Sequence, residues 1–186
     1  MKCKMCKKSV KYFDVSPCNA INPITCEISN LRKLFGFFQY EAPNIPSYIS
    51  SYIPQKQHNE LLKEMLGSWD VENYSFIAQN KNINKYLSFN YLMDDNLCSR
   101  CNRFVCKRST KNGYKETDLE CLLRHLRNAL AHGRLFVIHG GNYISILFED
   151  RNTTGNISAR IICYQTDLKK WKNLIEKKKE DNLCHN

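Results

Sequence analysis

The sequence lacks long apolar runs, which argues against a membrane-spanning protein. No run of about eighteen apolar residues occurs, although a transmembrane helix needs roughly that length. The chain begins Met1-Lys2-Cys3-Lys4, without the apolar segment and small-residue cleavage site of an export signal. We therefore expect a cytoplasmic protein that does not partner with a membrane.

Acidic residues are scarce relative to basic ones. The chain has 18 Asp and Glu residues against 28 Lys and Arg residues, which gives a net charge of +10. This balance favours a polyanionic partner such as nucleic acid. Part of the excess lies in Lys2–Lys11 and Lys169–Lys179, so the charge alone fits a soluble protein with a Lys-rich tail equally well.

Internal repeats and low-complexity tracts are also absent, which argues against a solenoid. A chain of 186 residues with 42% apolar content suits one domain with a small appendage. We predict a Cys-rich N-terminal cap at 1–28, a main domain at 29–179 and a disordered tail at 180–186.

The ten cysteines are more consistent with reduced or metal-bound thiols than with disulfides, because the chain shows no export signal. Two Cys-x-x-Cys pairs are the usual ligands of a tetrahedral zinc site. We therefore consider a structural zinc ion held by Cys3, Cys6, Cys98 and Cys101. A rival set is Cys3, Cys6, Cys18 and Cys26, and such pairs also arise by chance in a chain so rich in cysteine.

Hydrophobic periodicity and capping signals predict an α+β fold. Five helices are predicted. The first begins after an N-cap at Ser29, the next three span about 55–66, 82–93 and 117–133, and the last begins after an N-cap at Thr166. The predicted strands are Ser9–Val15, Leu135–Ile138, Tyr143–Phe148 and Ile157–Tyr164, of which the last three form an antiparallel meander. We expect a Pro-rich connection at Pro43–Pro54, and a polar loop or small hairpin at 96–116 with a turn at Asn112-Gly113.

The helix at 117–133 has the clearest local signals. Thr117 and Glu120 are spaced as a capping box, in which each side chain accepts a backbone N–H of the other. Five leucines then fall on one face of the helix, and Gly133 suits the left-handed position after the last turn. The leucines are Leu119, Leu122, Leu123, Leu126 and Leu130.

Polar residues on this helix form a stripe opposite the leucines. Arg124, Asn128 and His132 are spaced at i, i+4 and i+8, so they share one face. Arg127 lies roughly 140° around the helix from His132, so contact between the two needs a distorted last turn, a long reach or a second protomer. From composition alone, an exposed polar face and a His that interacts with the helix dipole explain the pattern as well.

The string Arg127-Asn128-Ala129-Leu130-Ala131-His132-Gly133 resembles the signature of the HEPN superfamily. That signature is an Arg, four to six intervening residues and a His near a helix end, frequently with Asn directly after the Arg. The order of motif helix, three-stranded meander and terminal helix also looks like a bacterial plasmid-encoded HEPN subfamily, most clearly over residues 117–178. The resemblance implies a mostly helical HEPN-type bundle with a short meander after the motif helix.

The resemblance also implies a metal-independent endoribonuclease in a toxin–antitoxin or phage-defence setting. The catalytic residues would be Arg127, Asn128 and His132, brought together in a homodimer, with RNA as substrate and an antitoxin or regulatory protein as a further partner. Arg124 and Arg134 would extend a phosphate track, although Arg134 also fits an exposed strand residue. We expect His125 and His139 to be solvated.

Two other classes of function remain open at this point. The first is a non-catalytic HEPN module that binds RNA or a partner protein through the same helix. The second is a zinc-stapled adaptor whose basic surface binds nucleic acid without sequence preference.

Overall fold

The computed structural model of the chain describes residues 3, 6–7, 11–42, 53–67, 69, 71–109 and 115–184. Its strands are β1 (Tyr12–Asp14), β2 (Tyr74–Ile77), β3 (Asn96–Cys98), β4 (Arg103–Lys107), β5 (Leu135–His139), β6 (Ile144–Arg151) and β7 (Ile157–Tyr164). Its α-helices are α1 (Ser29–Gly36), α2 (His58–Leu66), α3 (Ile83–Phe89), α4 (Asp118–Ala131) and α5 (Gln165–Leu183). The α+β class is therefore confirmed.

The main sheet has five strands in the order β2–β4–β7–β6–β5. The predicted antiparallel meander is present as β5, β6 and β7, and two further strands, β4 and β2, extend it. β4 adds to β7 antiparallel, and β2 adds to β4 in parallel. β4 lies in the segment that the sequence predicts to be a polar loop or small hairpin, because its apolar run, Phe104 to Cys106, is short and flanked by basic residues.

A second, two-stranded sheet joins the N-terminal segment to the middle of the chain. β1 pairs antiparallel with β3, and the backbone N–H of Ile21 donates to the carbonyl of Leu135 at 2.8 Å. The first 28 residues therefore contact the rest of the fold directly. Their treatment as a separate cap stays a prediction.

Helices α1 to α3 form where periodicity placed them, with different ends. α1 begins at Ser29 with Ile28 as its N-cap, one residue earlier than a Ser29 cap implies. A short 3-10 turn, Gln55–Gln57, precedes α2. α3 stops at Phe89 because the chain turns at Tyr91, whose φ of 52° is left-handed and incompatible with a continuing helix.

The terminal helix also differs at both ends. Asp167, rather than the predicted Thr166, caps its start by accepting the Tyr164 N–H at 2.8 Å. At the other end α5 continues to Leu183, within the segment 180–186 that the sequence predicts to be a disordered tail. A pair of side-chain amide hydrogen bonds at 3.1 Å joins Asn182 to Gln57, which fixes this last part of the helix against the turn before α2.

The apolar core lies mainly between the sheet and helices α1, α2, α4 and α5. All five leucines of α4 are buried there, as their spacing predicted. Trp171 of α5 is fully buried and donates to the carbonyl of Met65 at 2.8 Å. A smaller cluster on the other side of the sheet includes Phe13 and Leu87. The core thus fixes α4 along its whole length.

Some predicted features lie outside the described residues. These are the turn at Asn112-Gly113, most of the Pro43–Pro54 connection and most of the basic segment Lys2–Lys11. Among the helices that the structure describes, none combines the length and the apolar character needed to cross a membrane.

Candidate functional site

Helix α4 is capped at both ends as its sequence predicts. Thr117 Oγ1 accepts the Glu120 N–H at 3.3 Å, and Glu120 Oε2 accepts the Thr117 N–H at 2.7 Å. At the other end Gly133 has a φ of +62°. The N–H groups of Gly133 and Arg134 donate to the carbonyls of Leu130 and Ala129, the paired hydrogen bonds of a Schellman motif. His132 is therefore held at a defined position on the helix end.

The polar stripe of α4 faces a single cleft. Arg124, Asn128 and His132 all line a cavity of about 750 Å³ between α4, the start of α3 and the turn from β6 to β7. His132 is exposed and also borders a second cavity of about 470 Å³ next to the Pro17–Ile24 segment. A ligand in either cavity can reach its imidazole.

His125 is buried, so the expectation that it is solvated was wrong. Its side chain is 1% exposed, because at this point α4 packs against β4 and β6. The ring Nδ1 lies 2.6 Å from Asp150 Oδ2 and Nε2 lies 2.7 Å from the Lys107 carbonyl. A carboxylate and a carbonyl only accept hydrogen bonds, so both ring nitrogens carry protons.

The charge of His125 follows from this geometry. Burial is the largest single effect and lowers the pKa of His125, but the hydrogen bond to Asp150 and the contact with Cys121 together outweigh it, so the pKa reaches about 9. Burial raises the pKa of Asp150, yet His125 and then Asn128 hold it below its ordinary value. The two side chains therefore form a buried imidazolium–carboxylate pair at neutral pH.

Asn128 is fixed by the same carboxylate. Its Nδ2 donates to Asp150 Oδ2 at 3.1 Å. Asp150 was missed in the sequence because it lies 22 residues from Asn128. Only the strand register, which places Asp150 beneath α4, brings the two together.

Arg124 lines the cleft, but its guanidinium is held by protein groups. Nε and Nη2 donate to the two carboxylate oxygens of Glu116 at 2.5 and 3.0 Å, and Nη2 also donates to the Lys107 carbonyl at 2.8 Å. Glu116 is 5% exposed, so this is a largely buried bidentate pair. Arg124 thereby ties the chain before α4 to the end of β4.

The Arg127 side chain points away from the cleft that Arg124, Asn128 and His132 line. Its Nη2 donates to the Ala42 carbonyl at 3.1 Å, and burial lowers its pKa. Arg127 is not among the described residues that line either cavity next to His132. Within one chain, the structure brings together Arg124, Asn128 and His132 but does not add Arg127 to them.

A family model described as HEPN pEK499 p136 matches residues 25–182. The match covers most of the chain, including α4 and its Arg127-to-His132 motif. The chain belongs to this HEPN family. Comparison with curated proteins and with solved structures finds no significant match.

Within this HEPN domain, Arg134 lies just after the motif and pairs with Glu149 at 3.1 Å. Glu149 is fully buried and also accepts hydrogen bonds from Arg151 and Arg160. Arg151 lines the large cleft and is a candidate site residue that sequence reasoning missed. Three guanidinium groups therefore surround the Glu149 carboxylate, and Arg160 also pairs with Asp95 at 3.5 Å.

Four cysteines form a compact cluster that joins the residues before the family match to the HEPN domain. The sulfur atoms of Cys3, Cys6, Cys98 and Cys101 all lie within 4.8 Å of one another, and all four are free thiols. The rival set is not assembled, since Cys18 is exposed and Cys26 packs in the main core. The cluster has the composition and spacing to hold a metal ion.

Proposed function

We propose that this HEPN protein is a metal-independent endoribonuclease that acts in a toxin–antitoxin or phage-defence setting. The observation that carries the proposal is the exposed His132, fixed at the end of a capped helix and bordering a cleft that Asn128 also lines. Family membership supports it, because the sequence resembles the HEPN signature at Arg127, Asn128 and His132.

In the proposed reaction the ribose 2′-oxygen attacks the neighbouring phosphorus. The new O2′–P bond forms while the P–O5′ bond breaks, which leaves a 2′,3′-cyclic phosphate and a 5′-hydroxyl. The proton lost by the 2′-hydroxyl is balanced by the proton that the O5′ leaving group gains. His132 is suited to exchange one of these protons near neutral pH.

Arg127 and Asn128 would support this step. A guanidinium can give two parallel hydrogen bonds to the non-bridging phosphate oxygens, where negative charge builds up. Because Arg127 does not line the cleft of its own chain, we infer that a second protomer supplies it in a homodimer. A bound antitoxin or regulatory protein would act by covering this interface.

The substrate path would follow the cations around the cleft. Arg124 and Arg134 contribute positive charge while their guanidinium groups hold Glu116 and Glu149. Exposed Lys81 and the half-buried Arg151 line the opening itself. These four residues would attract RNA phosphates without reading its sequence.

The test is RNA cleavage in EDTA by the parent protein, Arg127→Ala, His132→Ala and a control, Lys33→Ala, on the exposed side of α1. We expect each motif variant to lose activity by roughly 100-fold or more, while the control keeps parent activity. Products should carry 2′,3′-cyclic phosphate and 5′-hydroxyl ends. Full activity in both motif variants, or 3′-hydroxyl products, would contradict the proposal.

A second candidate function is a non-catalytic HEPN module that binds RNA or a partner protein. The position of Arg127, hydrogen-bonded to Ala42 and away from the His132 cleft, favours it. In the same assay this function predicts RNA binding by the parent protein without any cleavage.

We further infer that the four-cysteine cluster holds a structural zinc ion that takes no part in the reaction. Ligands at the usual Zn–S distance in a regular tetrahedron lie about 3.8 Å apart. The sulfur–sulfur distances are 3.8 Å for Cys3–Cys101, 4.0 Å for Cys6–Cys98 and 3.5 Å for Cys98–Cys101. The ion would fix the N-terminal segment to the β3–β4 region.

Metal analysis of protein purified without chelator tests this inference. We expect about one zinc ion per chain, and its loss in a Cys98→Ser, Cys101→Ser double variant. Cys18→Ser is the matched control, because Cys18 is an exposed thiol outside the cluster. A zinc content below about 0.2 per chain would contradict the inference. The same measurement on the EDTA-treated nuclease sample shows whether the ion stays bound during the assay.

A further inference from the structure

The buried carboxylate of Asp150 links the motif helix to the sheet. Its side chain is 4% exposed, and its Oδ2 accepts from two α4 side chains, His125 at 2.6 Å and Asn128 at 3.1 Å. His125 and Asn128 lie three positions apart on the helix, so both face this strand. One oxygen atom thus sets the orientation of two α4 side chains.

The His125–Asp150 pair resembles a catalytic acid–base dyad in composition only. In such a dyad the second ring nitrogen is left to a nucleophile or substrate. Here Nε2 of His125 lies 2.7 Å from the Lys107 carbonyl, and the ring is 1% exposed. The imidazolium is therefore a fixed cation that keeps Asp150 ionised, and it exchanges no proton with a ligand.

An ionised Asp150 determines which way the Asn128 amide points. A carboxylate has no proton to donate, so Asn128 must present its NH₂ group to Asp150. The amide carbonyl oxygen and the second N–H of the amide are then not used by Asp150, and Asn128 lines the large cleft. A ligand group that binds to the carbonyl oxygen is a hydrogen-bond donor.

The neighbouring His132 narrows the class of donor. Asn128 and His132 are one helical turn apart on the same face of α4, so their Cβ atoms lie roughly 6 Å from each other. A ribose hydroxyl can approach both groups at once. The 2′-hydroxyl is the donor that RNA has and DNA lacks.

We propose that Asp150 is a positioning residue that fixes the Asn128 amide, so that its carbonyl oxygen accepts a hydrogen bond from the ribose 2′-hydroxyl of the bound RNA. This role rests on the proposed ribonuclease function and adds to it a means of distinguishing RNA from DNA. Asp150 also borders the cleft, but its side chain is only 4% exposed, so it acts through Asn128.

The test compares two probes by their dissociation constants in a His132→Ala background, where cleavage is blocked. One probe is a short RNA, and the other has the same sequence with 2′-deoxyribose throughout and deoxyuridine for uridine. We expect Asn128→Leu and Asp150→Asn to reduce the preference for RNA by about tenfold, the value of one hydrogen bond. Asn30→Leu, at an exposed residue of α1 that does not line the cleft, should leave the preference unchanged.

A purely structural role for Asp150 would weaken the binding of both probes equally, and an unchanged RNA preference in the two variants would overturn the proposal. Because these probes are not cleaved, the result does not depend on whether the parent protein is a nuclease. Loss of RNA preference without cleavage by the parent would overturn the proposed function alone.

A second measurement covers the case in which Asp150→Asn fails to fold. The side-chain amide of Asn128 gives two proton signals in a ¹⁵N-edited NMR spectrum, assigned by their absence in Asn128→Leu. We expect one proton to be protected from exchange by its hydrogen bond to Asp150. Exchange of both protons as fast as in an exposed amide, such as that of Asn84, would overturn the proposal.

Discussion

At the scale of single residues, His125 shows how two acceptors determine a charge. A histidine with one acceptor and one donor would be neutral, but the Asp150 carboxylate and the Lys107 carbonyl both require an N–H. Arg124 Nη2 also lies 3.2 Å from His125 Nε2, so two cations are neighbours. The carboxylates of Asp150 and Glu116 balance these two positive charges, so each of the two buried carboxylates has a cation as its partner.

This buried pair makes stability depend on pH. The pKa of His125 is raised from 6.5 to about 9, so its contribution is fully present below pH 6.5 and is lost as the pH rises through 9. Cys121 opposes this, because burial raises its pKa but Cys106 and His125 lower it to about 7. A thiol with a lowered pKa contributes stability at high pH and loses it as the pH falls through 7.

The effect of His125 is therefore measured in a Cys121→Ala background. We expect the free energy of unfolding to fall as the pH rises from 6.5 towards 9, as followed by urea denaturation. The fall should be smaller than the roughly 3 kcal/mol that the full pKa shift corresponds to, because Asp150 still raises the pKa of His125 but Cys121 no longer does. In a His125→Gln, Cys121→Ala double variant this slope should be absent. Equal slopes in the two proteins would show that His125 carries no proton through this range.

At the scale of secondary structure, α4 depends on its two caps. Its first turn has the reciprocal hydrogen bonds of Thr117 and Glu120, and its last carbonyls are satisfied by the turn at Gly133. Both caps are local, so each can be removed without disturbing the buried leucines. Substitutions at the caps therefore measure how much each cap stabilises the helix that carries the motif.

Thr117→Ala removes the N-terminal cap. We expect a loss of about 1 kcal/mol in the free energy of unfolding, because the Glu120 N–H loses its acceptor. The hydroxyl also lies 3.0 Å from His58 Nδ1, which adds to the cost. Thr153→Ala, in the exposed turn after β6, is the control. It should leave the free energy of unfolding, measured by chemical denaturation, unchanged. A Thr117→Ala protein as stable as the parent would show that the cap contributes nothing.

Gly133→Ala tests the C-terminal cap. A Cβ at this position meets no atom within 4 Å, so the cost comes from the backbone φ of +62° alone. We expect a destabilisation of about 1 kcal/mol. Gly36→Ala is the matched control, because it is also free of contacts but lies in a right-handed helix, where Ala is favoured by up to about 1 kcal/mol. We expect the two variants to shift the thermal midpoint in opposite directions. A shift in the same direction would contradict the idea that the left-handed φ of Gly133 causes the loss of stability.

The same distinction between local and distant contacts explains what the sequence could predict. Four features depend on neighbours within a few residues, and the sequence predicts all of them correctly. They are the capping box, the leucine face of α4, the turn at Gly133 and the last three strands. β4 was missed because it is stabilised by β2 and β7, which are far away in the chain. His125 was misread for the same reason, since Asp150 is 25 residues away.

At the scale of the whole molecule, the main question is how Arg127 and His132 could act on one phosphate. In one chain they face different surroundings, Arg127 towards Ala42 and His132 towards the cleft. A symmetric pair of chains can solve this by placing Arg127 of one protomer next to His132 of the other. Such a dimer has two composite sites, each needing a different residue from each chain.

Mixing two inactive variants tests this arrangement. Arg127→Ala and His132→Ala proteins are combined in equal amounts, diluted to exchange subunits and reconcentrated. With random exchange half of the dimers are mixed, and each mixed dimer has one intact site of two, so we expect about a quarter of the parent activity. Parent protein carried through the same dilution gives the reference value.

A site built within one chain gives a different result, because every chain in the mixture then carries its own defect and no activity returns. Sizing of the parent protein at micromolar concentration gives an independent check. A monomer that still cleaves RNA would rule out the composite site. Recovery near a quarter, together with a dimeric mass, would instead mean that Arg127 completes the site of the partner subunit.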